Sequence, residues 1–434
     1  MDPIKLLSLR QFTQEWTAEK FGHGKFDPTR QPQLIITPAE DVGCITAAVS
    51  PDCSYRLVQA ALAAAQREVC LYIYNLSAEH LLDLLREARD RGVQIQLMYD
   101  ISDTRGHEKE KLAGLGVELK EAPSSGGRKV FTVCHQKFFV IDESILVLGS
   151  ANWAGTSIPK IIVPGTFKKG NREWLVRIDH PGLAAWFKGL FQADWDIPAL
   201  EAPSGLGIEI GLEEEIVPPA PTYLPALLAK MPDEVFDLGE IELEQPARVT
   251  PILSPDNYYD LARTLILEAE SSIDIEQQYI LAGGPKTEGL LAALEQHKDE
   301  VEIRVIVSPA YRKEGAKDNW ELSADSLDAY GLKDRLRAMN LTYYTHLHNK
   351  GVIIDRRKVI VSSTNWSENS LARAREAGVL IEAPEIAEYY AQVFDFDWSI
   401  AWEAADVPAN LANLFQEAMF IPGGFEEVHP ADLV

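Results

Sequence analysis

Cysteine is scarce in this chain: four residues in 434, Cys44, Cys53, Cys70 and Cys134, all in the first third. None shows metal-ligand spacing, so a thiolate metal site and a disulfide-stapled scaffold are both disfavoured, and reduced thiols are expected. Basic charge is also short. Lys and Arg number 41 against 66 Asp and Glu, a net charge of −25, which repels polyanions at long range and argues against broad, nonspecific nucleic-acid binding. The small basic groups (Lys168, Lys169 and Arg172; Arg356, Arg357 and Lys358; Arg373 and Arg375) read as solvated surface. Long apolar runs are missing too. Val140 to Gly149 and Val352 to Asp355 are too short or too interrupted to span a bilayer, so no transmembrane helix is expected. The first residues turn polar before any export-like core develops, and a cytoplasmic setting is the expectation.

What is present is a large apolar fraction, 46%, and an internal repeat. Ser50-Pro51-Asp52 returns as Ser254-Pro255-Asp256, each followed by tyrosine and a helix-like stretch. Ala61 to Ala65 leads into the apolar run Val69 to Ile73, and Leu265 to Ala269 leads into Ile273 to Ile280. Leu81, Leu84, Leu85 and Ala88 then recur at helical spacing, with Ser77 placed to cap the start and Gly92 to end it. Strand alternation follows at Val93, Ile95 and Leu97, and again at Val301, Ile303, Val305 and Val307. Strand, helix, strand in succession predicts an α/β fold in each half. The division expected is an N-terminal extension over 1–40, a first domain over 41–200, an acidic Pro-rich linker over 201–248 and a second domain over 249–434. The linker includes Glu213-Glu214-Glu215 and Pro218-Pro219-Ala220-Pro221.

The chemistry sits in two segments of matching spacing. His135, Lys137 and Asp142 are followed by Ser150 and Asn152; His348, Lys350 and Asp355 are followed by Ser363 and Asn365. Each reads as two strands joined by a tight turn, at Glu143-Ser144 and at Arg356-Arg357. That register sets His135 opposite Asn152 and Lys137 opposite Ser150, and His348 opposite Asn365 and Lys350 opposite Ser363. Alternation then puts all four side chains of each hairpin on one face, suited to an anion, and sends Asp142 and Asp355 to the other as structural residues.

Such a face fits a phosphodiester. A neutral imidazole attacks phosphorus, ammonium and amide groups stabilise the non-bridging oxygens, and a second imidazolium protonates the leaving alkoxide. Two histidines on opposite sides of phosphorus require two hairpins facing each other. Each histidine also needs an acceptor for its other ring nitrogen; Glu173 and Glu376, each opening the apolar strand after its hairpin, are the candidates. A metal pair at His346 and His348 is the competing reading, weakened by the lack of a third ligand and of a counterpart to His346 in the first repeat.

His-x-Lys, four residues, Asp, then Gly-Ser-x-Asn resembles the signature of the phospholipase D superfamily, and both copies match, with Ser362 standing where glycine is usual in the second. The resemblance covers about Ser50 to Trp195 and Pro251 to Trp398. It implies two tandem α/β domains with mixed sheets flanked by helices, related by a pseudo-twofold. It further implies a covalent phosphohistidine formed without metal or cofactor. His135 is then the nucleophile and His348 the general acid, later the base for water. One chain holds both halves, so no second copy is required. A phospholipid is the favoured substrate, with transient contact to a membrane surface; DNA or RNA comes second, requiring the basic groups near Lys168 and Arg373 to line the cleft. A phospholipid synthase and a non-catalytic phosphate-binding or scaffold protein are the remaining alternatives.

Overall fold

The computed structural model describes residues 26–100, 106–199, 232–309 and 319–407. The linker's acidic and Pro-rich runs, most of the N-terminal extension and the C-terminal tail lie outside the described residues.

The first half runs β1 (Ala39–Ser50), α1 (Ser54–Ala64), β2 (Glu68–Ile73), α2 (Glu79–Asp90), β3 (Gln94–Tyr99), α3 (Gly106–Ala113), β4 (Glu118–Glu121), β5 (Lys137–Ile141), β6 (Ile145–Gly149), β7 (Asn171–Asp179) and α4 (Pro181–Trp195). The second repeats it: β8 (Gly239–Ser254), α5 (Tyr258–Leu267), β9 (Ser272–Gln277), α6 (Pro285–His297), β10 (Glu302–Val307), α7 (Asn319–Asp328), β11 (Leu336–Ala338), β12 (His346–Leu347), β13 (Lys350–Ile354), β14 (Lys358–Ser362), α8 (Glu368–Ala372), β15 (Glu376–Glu382) and α9 (Pro384–Ile400). The long β8 starts at Gly239, inside the stretch assigned to the linker, because its first residues pair with β1 (Ile45 opposite Ile241).

The sheet order is β11-β10-β9-β13-β14-β15-β8-β1-β7-β6-β5-β2-β3-β4. Read from either end it is the same succession of equivalent strands, with the pseudo-twofold passing between β8 and β1. Within each half β2, β3 and β4, or β9, β10 and β11, are parallel and the rest antiparallel, so the mixed α/β sheet expected from the repeat is what forms. The strands β2, β5 and β13 are buried nearly throughout, as continuous apolar runs covered on both faces must be. Helix α2 buries Leu81, Leu82, Leu84, Leu85 and Ala88, and Gly92 follows it at φ +93°, a conformation that costs glycine little. Ser77 is not its cap. The N-cap is Ala78, without a side-chain bond, because the Ser77 hydroxyl is turned back to Asn75 Oδ1 at 3.2 Å.

Both hairpins differ by one residue from the predicted register. The ladder pairs Phe138 with Leu148 and Val352 with Ile360; continued, it sets Lys137 opposite Gly149 and Lys350 opposite Ser362. The loops begin one residue earlier than expected, at Asp142 and Asp355. Asp142 and Glu143, like Asp355 and Arg356, lie at φ +52° to +54°, a left-handed conformation that aspartate tolerates better than most residues. Their carboxylates hold them there. Asp142 accepts from the backbone N–H of Gln66, Arg67 and Glu68 at 2.8–2.9 Å, and Asp355 from those of Glu270, Ser271 and Ser272 at 2.7–3.1 Å. Burial pushes both carboxyls up, but these bonds together outweigh it and hold them below the usual range. Each aspartate thus ties the hairpin turn to the start of the neighbouring strand.

Candidate active site

The two halves meet through backbone, not only through the central strand pair. His135 N–H donates to the carbonyl of Arg375 at 2.8 Å, and His348 N–H to that of Arg172 at 3.1 Å. Strand β12 runs parallel to β7, His346 opposite Asn171, and Cys134 makes the equivalent bridge with Arg375. Each motif therefore lies along the other half's last strand, and the residue after each arginine is a glutamate.

The consequence is an exchange of acids. His135 Nδ1 lies 2.9 Å from Glu376 Oε2, and His348 Nδ1 lies 2.8 Å from Glu173 Oε1. Each histidine is oriented by the glutamate of the opposite half, whereas reading along the chain links each glutamate to the hairpin before it. With Nδ1 engaged by carboxylate, Nε2 is the nitrogen left for chemistry. The ring centroids of His135 and His348 are 6.3 Å apart, and His348 Nε2 is buried with no partner among the described residues. His135 retains 8% of its surface and His348 1%, so solvent reaches the pair from the His135 side.

The serines do not front this space. Ser150 Oγ donates to Glu173 Oε2 and Ser363 Oγ to Glu376 Oε2, both at 2.6 Å, while the same hydroxyls accept from Trp174 N–H and Ala377 N–H at 3.1 Å. The one-residue register shift is the reason: off the ladder and off the lysine's face, each serine backs the glutamate, which corrects its assignment to phosphate. Both asparagines are buried, Asn152 at 1% and Asn365 at 5% exposure, and Oδ1 of Asn365 has no partner among the described residues. Lys137 Nζ donates to the His135 carbonyl at 2.5 Å, and Lys350 Nζ to the His348 carbonyl. Both lysines are nearly or fully buried.

Burial sets the electrostatics. It pushes His135 and His348 below the ordinary imidazole value, His348 well below, with the lysines adding to the effect. Burial raises Glu173 against the pull of Lys350, and lowers Lys350 to about 7 despite Glu173 and Glu376. An anion bound among these groups would return the protons that desolvation disfavours.

Arg172 and Arg375, expected at the surface, are among the most buried side chains. Arg172 pairs with Asp52 and Asp397 at 2.7 Å, and Arg375 with Asp194 and Asp256 at 2.9 Å. Each pairs with one aspartate from either half, fixing the strand that carries the glutamate; neither guanidinium is available to a nucleic acid. Trp153 and Trp366 are core residues, Trp366 donating to Tyr258 Oη at 3.0 Å.

Two further residues border the histidines. Tyr74, just past the end of β2, sets its ring 4.7 Å from that of His135 and 5.0 Å from Lys137 Nζ; its place at the C-terminal end of a parallel strand is the available sequence signal. His346 lies 6.0 Å from the His348 ring, with Nδ1 2.6 Å from Ser308 Oγ and Nε2 buried without a partner among the described residues. No group of three or more His, Cys, Asp or Glu is arranged to hold a metal ion among the described residues.

Comparison with known proteins matches residues 58–195 and 262–398 to the family described as cardiolipin synthase, PLD-like domain. A mitochondrial cardiolipin hydrolase of Chlamydomonas reinhardtii is 23% identical over 138 residues, 31% of this chain and 55% of that protein. One from Danio rerio is 28% identical over 120 residues, 28% of this chain and 47% of that protein. The chain thus spans about half the length of the curated relatives it matches. Among solved structures, phosphatidylserine synthase of Haemophilus influenzae Rd KW20 superimposes with a TM-score of 0.55 over 94% of this chain and 97% of its own, at 14% identity, which shows a common fold across both halves.

Proposed function

Because the chain belongs to the phospholipase D superfamily through two PLD-like domains of the cardiolipin synthase family, we propose that it is a phosphoric diester hydrolase that cleaves phospholipid through a phosphohistidine at His135. The observation that carries this reading is the pair of imidazoles 6.3 Å apart, each held at Nδ1 by the opposite half's glutamate. Two contacts of about 3–3.5 Å, one on each side of phosphorus, span a similar distance.

In the first step His135 Nε2 forms a bond to phosphorus while the bond to the leaving alkoxide breaks, and His348 supplies the alkoxide's proton. In the second, His348 takes a proton from water, the resulting hydroxide attacks phosphorus, and the P–N bond breaks to release His135. Lys137, Lys350, Asn152 and Asn365 hold the non-bridging oxygens. Ser150 and Ser363 act through the glutamates. The lysines supply positive charge at the phosphoryl group, and no cofactor enters the scheme. An alcohol in place of water would make the second step a transfer.

Lipid is preferred to nucleic acid because Arg172 and Arg375 are consumed by buried carboxylates and because the curated relatives are named for cardiolipin hydrolysis. A cytoplasmic location is part of the same reading.

The test is turnover in chelator of cardiolipin or phosphatidylcholine vesicles beside single-stranded DNA, with His135→Ala and His348→Ala as controls. Lipid turnover lost in both variants is expected. DNA cleavage alone would replace the substrate class, and variants as active as wild type would sink the two-histidine mechanism.

A further inference from the structure

Twenty-one positions separate Asn152 from Glu173, and eleven separate Asn365 from Glu376. The extra residues form a loop in the first half whose two ends are anchored at the site. At its root, the Ile158 carbonyl meets His80 Nε2 at 2.8 Å, and Asn171 Nδ2 donates to Ser157 Oγ at 3.0 Å. Its return strand leans on the second half just before His346: Lys169 Nζ donates to the Leu341 carbonyl at 2.6 Å, and the Phe167 ring stands 6.2 Å from that of Tyr344.

Between these anchors the loop turns sharply at Val163-Pro164-Gly165-Thr166. Thr166 N–H and Oγ1 both donate to the Val163 carbonyl, at 3.3 and 2.6 Å. Gly165 at φ +73° after proline is the type II pattern. This ordered turn holds Ile162 and Val163 out in solvent, 56% and 61% exposed. Among the described residues only Ile35 is another exposed large hydrophobic, so two of three such side chains occupy one loop tip that springs from the candidate site.

The loop's charge is equally unusual. In a chain with 66 acidic residues, no Asp or Glu occurs between Glu143 and Glu173, while Lys160 and Lys168 flank the tip and are exposed. We propose that the Lys160–Lys168 loop is an interfacial docking element that seats Ile162 and Val163 in the surface of an anionic lipid bilayer, bringing the cleft to its substrate. The proposal rests on the lipid reading above. Apolar residues flanked by lysines fit the boundary between acyl chains and anionic headgroups; a nucleic-acid backbone has no use for the apolar tip. The overall charge of −25 does not oppose contact, since screening over about 8 Å leaves the local charges in control.

The test is flotation of the full chain with vesicles of phosphatidylglycerol and of phosphatidylcholine, alongside hydrolysis of soluble bis(p-nitrophenyl) phosphate. Wild type is expected to float with phosphatidylglycerol. Ile162→Glu with Val163→Glu should abolish flotation, and Lys160→Gln with Lys168→Gln should weaken it by about fivefold per lysine, both leaving hydrolysis of the soluble diester unchanged. Absent flotation of wild type, or equal flotation of the glutamate variant, overturns the proposal. So does lysine-dependent retention of single-stranded DNA with vesicle binding unaffected. Tip-dependent flotation by an enzyme that cuts no lipid upholds the docking surface and refutes the lipid substrate; cleavage of detergent-dispersed lipid without flotation does the reverse.

Discussion

The two halves of the molecule agree in one set of residues and disagree in another. Histidine, lysine, asparagine, serine, glutamate and the turn aspartate occur in both, and so do the arginines that fix the glutamate strands. Around that shared set the halves diverge. Tyr74 stands where the second half has Gln278, Asp100 where it has Ser308, and Val133 where it has His346. Asp100 Oδ2 accepts from Cys134 N–H at 2.7 Å, and Ser308 Oγ from Leu347 N–H at 3.4 Å, so the backbone contact survives while the chemistry beside it changes. Only the first half carries the long loop. What is duplicated is the set of residues proposed to act on phosphorus; what is not duplicated borders it, where such a site would distinguish a substrate from its mirror placement. A symmetric site would bind a diester in either direction. The surroundings are unlike, and His135 is the more accessible imidazole, which is what the proposed division of work between the two histidines rests on.

The largest expected break in this comparison comes from the exchanged glutamates. Glu376→Gln and Glu173→Gln should each lower lipid turnover by about a hundredfold or more, but unequally with a p-nitrophenyl diester, whose leaving group needs no proton. Burst kinetics should then show the burst surviving Glu173→Gln, which disorders His348, and lost in Glu376→Gln, which disorders His135. The opposite pattern would exchange nucleophile and acid. Equal loss of the burst would remove the division of labour.

A smaller effect is expected from pH. Lys350 sits at about 7 through burial, so its positive charge is present below that value and lost as pH rises through it. The histidines are pushed below their ordinary value, so a neutral nucleophile persists into mildly acid solution. Profiles of kcat/KM should accordingly fall by about tenfold per unit or more above pH 7, since the Lys350 charge and the proton that His348 donates are both lost as pH rises. A profile level to pH 9 would show that the Lys350 charge does not limit the reaction.

The smallest effect on chemistry belongs to the turns. Asp142→Ala and Asp355→Ala each remove several backbone acceptor bonds and should cost about 1–3 kcal/mol of stability by denaturant unfolding, while the remaining folded enzyme keeps its kcat. A large loss of kcat at full stability would place an aspartate in the chemistry.

Much of this was legible along the chain. The repeat, the α/β order, the motif residues and the aspartates' structural role follow from spacing and alternation, which are local. The hairpin register departs by one from what alternation predicts because a left-handed aspartate lengthens each turn, and its anchor is remote in sequence, 76 residues away for Asp142 and Gln66. The serines were misplaced with it. Arg172 and Arg375 looked like surface because their partners are equally remote, 225 residues apart for Arg172 and Asp397.

By itself the sequence determined which groups are present, in what order, and that they come in two sets, since covalent spacing and strand periodicity need no partner. Tertiary structure alone decided which glutamate serves which histidine. That choice is made by the backbone bonds from His135 to Arg375 and from His348 to Arg172, which form only when the halves pack, and contacts of that range leave no periodicity to read.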